Sequence, residues 1–250
     1  MQIEKLGHPV LQVYIGGTLV EKRPSSFRLI TDKGFPSVVA DLEYPVAAGI
    51  GNTGDKIVLN LCYGDDEYLL FTGEIYDAKD HGAYRNLALT DSYKKLCDTK
   101  VVAAYRKEMA CVILQDTLDA AGIGETAITC PEVEIDRFST QEISAEKIIL
   151  HLIDALQKHG HEGLRFFFDE KDVFHFGKTG DTGKNEGEAF EFETGKSIFW
   201  KKGGCIEVVP LPIRHLQKVK VDGTELTAFR TVMFITGYKS RLLLWVEEAE

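Results

Sequence analysis

The sequence predicts a mainly β fold with inserted helices (α+β), built as two β-barrel-like or β-sandwich-like domains joined by a helical segment. Three observations carry this. Residues 54–91 read as a meander of three strands: Ile57, Leu59 and Leu61 alternate with Val58, Asn60 and Cys62, and Gly64-Asp-Asp-Glu supplies turn residues before the next apolar run. Between residues 91 and 160 the apolar spacing becomes helical, and after Gly160 it returns to that of strands. The expected division is a first β domain over 1–98, a helical connection over 99–162 and a second β region over 163–250.

Taken in order, Leu11, Val13 and Ile15 alternate in a first strand closed by Gly16-Gly17. Strands follow at 27–31 and 37–44 around Asp32-Lys33-Gly34, and Gly49-Ile-Gly-Asn-Thr-Gly is a loop leading into the meander. A short helix is expected over 91–96. A longer one over 107–121 places Met109, Val112, Ile113, Leu114 and Leu118 at helical spacing, with Gly122 as its stop. The clearest helix starts at a Ser144 cap, with Lys147 at the position where a capping box has Glu. It lines Ile148, Ile149, Leu152, Ile153 and Leu156 on one face and ends at Gly160. Such helices are expected to lie on the sheet. Beyond them come a hairpin of 164–169 and 173–177 about Glu170-Lys171-Asp172, then a polar glycine-rich loop over 177–187. Strands follow at 189–193, 197–201, 205–210, 213–221, 227–236 and 242–246.

Composition narrows the function. At 250 residues, 44% hydrophobic and 27% charged, the chain can bury a substantial core. A net charge of −10 opposes general nucleic-acid binding, which requires cations gathered to neutralise phosphates. Residues 1–16 show no basic region followed by an apolar stretch, and no apolar run reaches the roughly 18 residues of a spanning helix, so neither an export signal nor a membrane anchor is expected. Five scattered cysteines, Cys62, Cys97, Cys111, Cys130 and Cys205, are odd in number and lack C-x-x-C spacing, which fits reduced thiols rather than a disulfide framework or zinc ribbon.

Several motifs invite catalytic readings. Gly177-Lys-Thr-Gly-Asp-Thr-Gly has no glycine at the position a phosphate loop requires, where Asp172 stands, and no helix pattern follows. Asp181-Thr-Gly lies between Lys178 and Lys184 in a polar loop, not at the end of an apolar strand as an aspartic protease requires. His159 and His161 suit a helix C-terminus; as a metal pair they would need Asp169 or His175 as a third ligand. Neither G-x-S-x-G nor H-E-x-x-H occurs. The aromatics of Arg165-Phe-Phe-Phe and Val173-Phe-His-Phe fit cross-strand core pairs better than a sugar- or base-stacking platform. No catalytic residue, cofactor or metal is therefore expected.

Leu70-Phe-Thr-Gly-Glu-Ile-Tyr followed by Leu87-Ala-Leu-Thr-Asp-Ser-Tyr-Lys-Lys-Leu resembles the first β domain of phage late control gene D proteins. These are baseplate hub proteins of contractile tails, related to the hub part of type VI secretion spike proteins. Further pieces occur in the same order: the helix before Gly122, Phe138-Ser-Thr with the helix over 144–160, the hairpin of Leu164-Arg-Phe-Phe-Phe-Asp and Val173-Phe-His-Phe, and Pro210-Leu-Pro-Ile-Arg-His leading into the last strands. The resemblance spans Phe35 to Val221. It implies a homo-oligomer, a trimer, whose ring continues the tail tube, carries the spike and lets DNA pass without specific binding. The implied partners are spike, tube and baseplate proteins. The implied location is the virion tail, with assembly in the host bacterial cytoplasm. An acidic lumen suits that passage, because it does not retard phosphates. Family members usually continue after the last β domain, whereas this sequence stops soon after Trp245-Val246, which leaves two expectations, a copy that holds the spike directly and a shortened hub-like variant. The loop positions Gly49, Asn52, Gly54, Lys178, Asp181 and Lys184 are the interface candidates. The alternative is a cell-wall hydrolase or glycan-binding protein of a tail tip, which predicts a pocket gathering Asp169, Glu170 and Asp172 or exposed aromatics.

Overall fold

The computed structural model describes residues 8–178 and 189–248. It resolves into two compact units, one of Met1–Asp91 with Lys184–Glu250 and one of Ser92–Gly183. The first unit begins with β1 (Val10–Ile15), β2 (Thr18–Leu19), β3 (Ser26–Asp32), β4 (Phe35–Pro45), β5 (Lys56–Tyr63), β6 (Asp66–His81) and β7 (Tyr84–Thr90). The second unit follows as α1 (Tyr93–Asp98), β8 (Lys100–Met109), α2 (Ala110–Ala120), β9 (Thr126–Ile128), β10 (Glu134–Ser144), α3 (Ala145–Lys158), β11 (Leu164–Phe168) and β12 (Phe174–Lys178). The chain then completes the first unit with β13 (Phe190–Phe192), β14 (Trp200–Lys202), β15 (Cys205–Val208), β16 (Lys218–Val221), β17 (Thr224–Thr236) and β18 (Ser240–Glu248).

The protein is mainly β with inserted helices, as the sequence predicts. Its β halves are not separate domains, however. One 13-stranded sheet runs β14-β15-β18-β17-β3-β4-β7-β6-β5-β1-β2, with β16 added on β17 and β13 on β16. The junction is the antiparallel pairing of β17 with β3, from Arg230 opposite Asp32 to Thr236 opposite Ser26. Alternation explains it: Phe27, Leu29 and Thr31 turn inward with Met233, Leu242 and Leu244, so the two chain ends share one apolar core. Within that core the Thr31 and Thr231 hydroxyls meet at 2.9 Å, and the His215 N–H donates to Thr31 Oγ1 at 2.9 Å. The expected boundaries at 98 and 163 thus give way to an insertion of Ser92–Gly183 between β7 and β13.

The predicted meander is present as β5, β6 and β7. Its Gly73 has a packing reason to lack a side chain: an added Cβ would lie 2.2 Å from the Thr90 carbonyl oxygen and 2.6 Å from the Phe71 ring. Just beyond β7, the buried Asp91 carboxylate accepts from Ser37 Oγ and from the Val38 N–H, both at 2.9 Å.

The second unit has its own core, in which α1, α2 and α3 pack with two small sheets, β10-β8 and β11-β12-β9. The helices therefore cover these sheets and contribute nothing to the large sheet's core, contrary to expectation. The α3 helix follows its sequence signals. Ser144 Oγ accepts from the Lys147 N–H, and Gly160 closes the helix in the left-handed region, where the His161 N–H reaches Leu156 O at 3.1 Å. The expected start of α2 at residue 107 is corrected. Met109 still pairs with Glu134, and the Ala110 N–H donates to Val133 O, so the helix begins only at Ala110. Residues 99–162 are accordingly a helix-bearing unit with a two-stranded ribbon, since the β-branched Val101 and Val102 favour a strand. Near the C-terminus the expected strand over 213–221 shrinks to β16, because Leu216 sits at φ 69° and its N–H turns to Ala228 O.

Replacing Gly73 by Ala should destabilise the first unit by about 1–3 kcal/mol, the usual range for overpacking. The measurement is urea unfolding followed by tryptophan fluorescence, with Gly237→Ala as a control, because a Cβ there meets open space and, as at Gly73, the backbone is not left-handed.

Candidate assembly surface

The loop holding Gly49, Asn52 and Gly54 is pinned from within. Gly49 closes a 3-10 turn over Val46–Ala48, its N–H donating to Val46 O at 3.0 Å. The Asn52 N–H donates to Asp55 Oδ2 at 2.8 Å, and the Gly54 N–H to Ile75 O at 2.7 Å. Arg85 secures the centre, donating to Gly51 O at 2.8 Å while pairing with Asp80 at 3.0 Å. The loop is thus a rigid, exposed rim. Lys178 is exposed at the end of β12 in the second unit, so it does not share that loop. Asp181, Lys184 and most of the 177–187 loop lie outside the described residues.

The acidic turn predicted by the hydrolase alternative is occupied by structural bonds. Asp169 Oδ1 accepts from the Lys171 and Val173 N–H groups at 2.9 and 3.0 Å, and its Oδ2 lies 3.0 Å from His175 Nε2. His175 in turn stacks on Phe167 at 4.9 Å. Asp172, held at φ 65°, accepts from the Ser92 N–H and hydroxyl at 2.7 and 2.6 Å. These carboxylates hold the β11–β12 turn and the start of α1. Among the described residues no three His, Cys, Asp or Glu side chains are placed to hold a metal ion. His159 is the C-terminal residue capping α3.

Sequence reasoning missed the outward face of the large sheet. The register sets Val39 opposite Ile30, Ile30 opposite Val232 and Val232 opposite Leu243, an apolar row across four strands on the face opposite Leu29 and Met233, in which Val39 is exposed, Ile30 and Leu243 are half-buried and Val232 is buried. Beside it a depression of about 270 Å³ is lined by Arg28, Asp41, Glu43, Asn86 and Phe234. Ion pairs border the row: Arg28–Asp41, Lys33–Glu247, Arg230–Asp32 and Arg241–Glu207. The available signal was the absence of alternation in Val232-Met-Phe-Ile and Leu242-Leu-Leu-Trp-Val, which are apolar on both faces. Such a run asks for cover on a second side.

The β14 end of the sheet is apolar too, with Phe199 52% and Trp200 48% exposed and Arg241 seated 4.2 Å from the Phe199 ring. Asp222 fixes this end. Its carboxylate accepts from the Thr194 N–H and hydroxyl and from Lys201 Nζ at 2.7, 2.9 and 2.8 Å. The Lys201 hydrogen bond, followed by those from Thr194, holds the Asp222 carboxyl down to about 2 from an ordinary 3.8.

No family model and no curated protein matches this sequence. The fold is that of phage-tail and secretion-system proteins. The 43 kDa tail protein of prophage MuSo2 from Shewanella oneidensis superposes with a TM-score of 0.71 at 11% identity, covering 97% of this chain and 98% of that one. A tail protein from Neisseria meningitidis MC58 gives 0.68 at 10% identity, with 96% of each chain covered. The E. coli c3393 protein, a type VI secretion component with structural similarity to the T4 tail proteins gp27 and gp5, gives 0.66 at 9% identity. It covers 95% of this chain and 77% of that one. At these identities the likeness is one of fold. Among the described residues no helix is long and apolar enough to cross a membrane.

Because folding depresses the Asp222 carboxyl, its contribution to stability is complete above the unfolded value of 3.8 and is lost as pH falls through about 2. Thermal melting at pH 5 and pH 2 should therefore show a smaller acid-induced loss in Asp222→Asn than in the unaltered protein. Equal losses would remove Asp222 from the account of this edge.

Proposed function

We propose that the protein is a structural component of a contractile tail, a baseplate hub subunit whose copies form a ring between tube and spike. The observation that carries this reading is a shared fold running the length of both chains in the MuSo2 tail protein. An outward apolar row bordered by ion pairs supports it, as does an exposed aromatic edge, because self-assembling subunits need such surfaces. In this reading three copies close the ring, spike, tube and baseplate proteins are the partners, and DNA passes without specific binding past a chain of net charge −10. The protein works in the virion tail after assembly in the bacterial cytoplasm, and its role is not enzymatic. The engagement of Asp169 and Asp172 in turn structure favours this over a wall hydrolase. The rigid loop of Gly49, Asn52 and Gly54 and the exposed Lys178 are interface candidates, with Asp181 and Lys184 beside Lys178 in sequence.

Light scattering over a concentration series, alone and with the tail's spike protein, tests the proposal. Three chain masses per particle, or a trimer formed only with the spike, is the expected result, and a monomer indifferent to the spike overturns it. Val39→Glu, which places a charge at the β4 end of the apolar row, where Val39 is 39% exposed, should weaken the trimer at least tenfold while leaving the melting temperature within a few degrees.

A further inference from the structure

The ribbon of the second unit has two outer strand edges, one on β8 and one on β10. β8 and β10 pair only with each other. The Ala103 N–H points at Thr140 Oγ1, 3.3 Å away across the ribbon, so by alternation the N–H and C=O groups of Val102, Ala104 and Arg106 turn away from β10. Among the described residues β8 pairs with no strand but β10, and Val102, Ala104 and Arg106 enter no turn or loop hydrogen bond. Their side chains are exposed, and Val102, at 69%, is the most exposed large apolar side chain of any described strand.

The two edges of the ribbon differ. β10 carries a bulge between Thr140 and Ile143 and the acidic Glu142 within it, two devices that blunt an edge. From Lys100 to Arg106, β8 runs Lys-Val-Val-Ala-Ala-Tyr-Arg without a carboxylate, until Lys107 turns the chain at φ 52°. Arg106 lies directly opposite Arg137, a like-charged cross-strand pair. Neither guanidinium, nor the Lys100 ammonium, has a carboxylate partner among the described residues. By contrast Arg28, Arg85, Arg230 and Arg241, the arginines on strands of the first unit, are all ion-paired.

We infer that β8 is a strand-addition site for an extended segment of a partner protein, apolar or hydroxylic in its middle and acidic at the two residues that meet Lys100 and Arg106. Main-chain bonds to Val102, Ala104 and Arg106 supply the pairing, and charge sets the register. A second copy of β8 is a poor occupant: antiparallel pairing centred on Ala103 would set Lys100 against Arg106 and repel. The inference concerns the inserted unit and stands apart from the tail reading.

The test uses the full chain and a fluorescein-labelled peptide, Glu-Thr-Val-Thr-Val-Thr-Glu, with a Lys-ended version as control, read by fluorescence anisotropy. Saturable binding of the acidic peptide, at least tenfold tighter than the Lys-ended one, is expected, with slowed amide exchange at Val102, Ala104 and Arg106. Ala104→Pro removes one outward N–H while leaving the ladder to β10 intact, and should abolish binding without lowering the melting temperature much. Should that variant fail to fold, Arg106→Glu decides the matter by reversing the preference between the two peptides. Absence of saturable binding, binding unchanged in a folded Ala104→Pro, or a dimer of the unaltered chain that Ala104→Pro dissolves would each overturn the proposal.

Discussion

The pairing of β3 with β17 is the constraint on which the first unit depends. It joins residues some 200 positions apart, and the buried Thr31–Thr231 contact lies within it. Each hydroxyl taken from water needs a partner, and here the two supply one another while Thr31 also satisfies the His215 N–H. Every strand from β13 to β18 reaches the N-terminal meander through this junction. The loop it closes contains the entire second unit. Such non-local pairing makes the unit slow to form, because chain entropy is lost before the ladder rewards it. A second unit with its own core can fold first and shorten the effective loop.

That arrangement explains why an insertion is tolerated between β7 and β13. On the first-unit side, the Asp91 carboxylate holds the chain to Ser37 and Val38. On the second-unit side, Ser92 is tied to Asp172, whose left-handed backbone is held by its own N–H bonding to Asp169 O. Two adjacent residues thus anchor in different units, and neither anchor needs a regular element beyond its own.

Much of this was legible in the sequence. Strands with alternating burial, such as β1, β3 and β5, and the strongly one-sided α3 with Ser144 and Gly160 at its ends, declare themselves locally. The ribbon strands did not: Val101-Val-Ala-Ala-Tyr lies beside a genuine helix, and β10 mixes polar and apolar residues across a bulge. The partnership of β3 with β17 is invisible to any local pattern, since alternation specifies which face is buried but not which strand lies alongside. The candidate surface was missed for a related reason. Loop glycines signal turns, whereas Val39, Ile30, Val232 and Leu243 become a surface only once register aligns them.

Charge distinguishes the two surfaces chemically. Exposed ion pairs contribute only about 0–1 kcal/mol each, so the pairs around the apolar row do little for stability. They leave that row bordered by compensated charge, so the border itself adds little local repulsion on close approach. On β8 Lys100 and Arg106 have no carboxylate partner among the described residues, and Arg106 faces Arg137 at a position where opposite charges would have cost the ribbon nothing. The assembly proposed for the first surface therefore rests on apolar contact between copies, and the strand addition proposed for β8 on charge complementarity with an acidic segment.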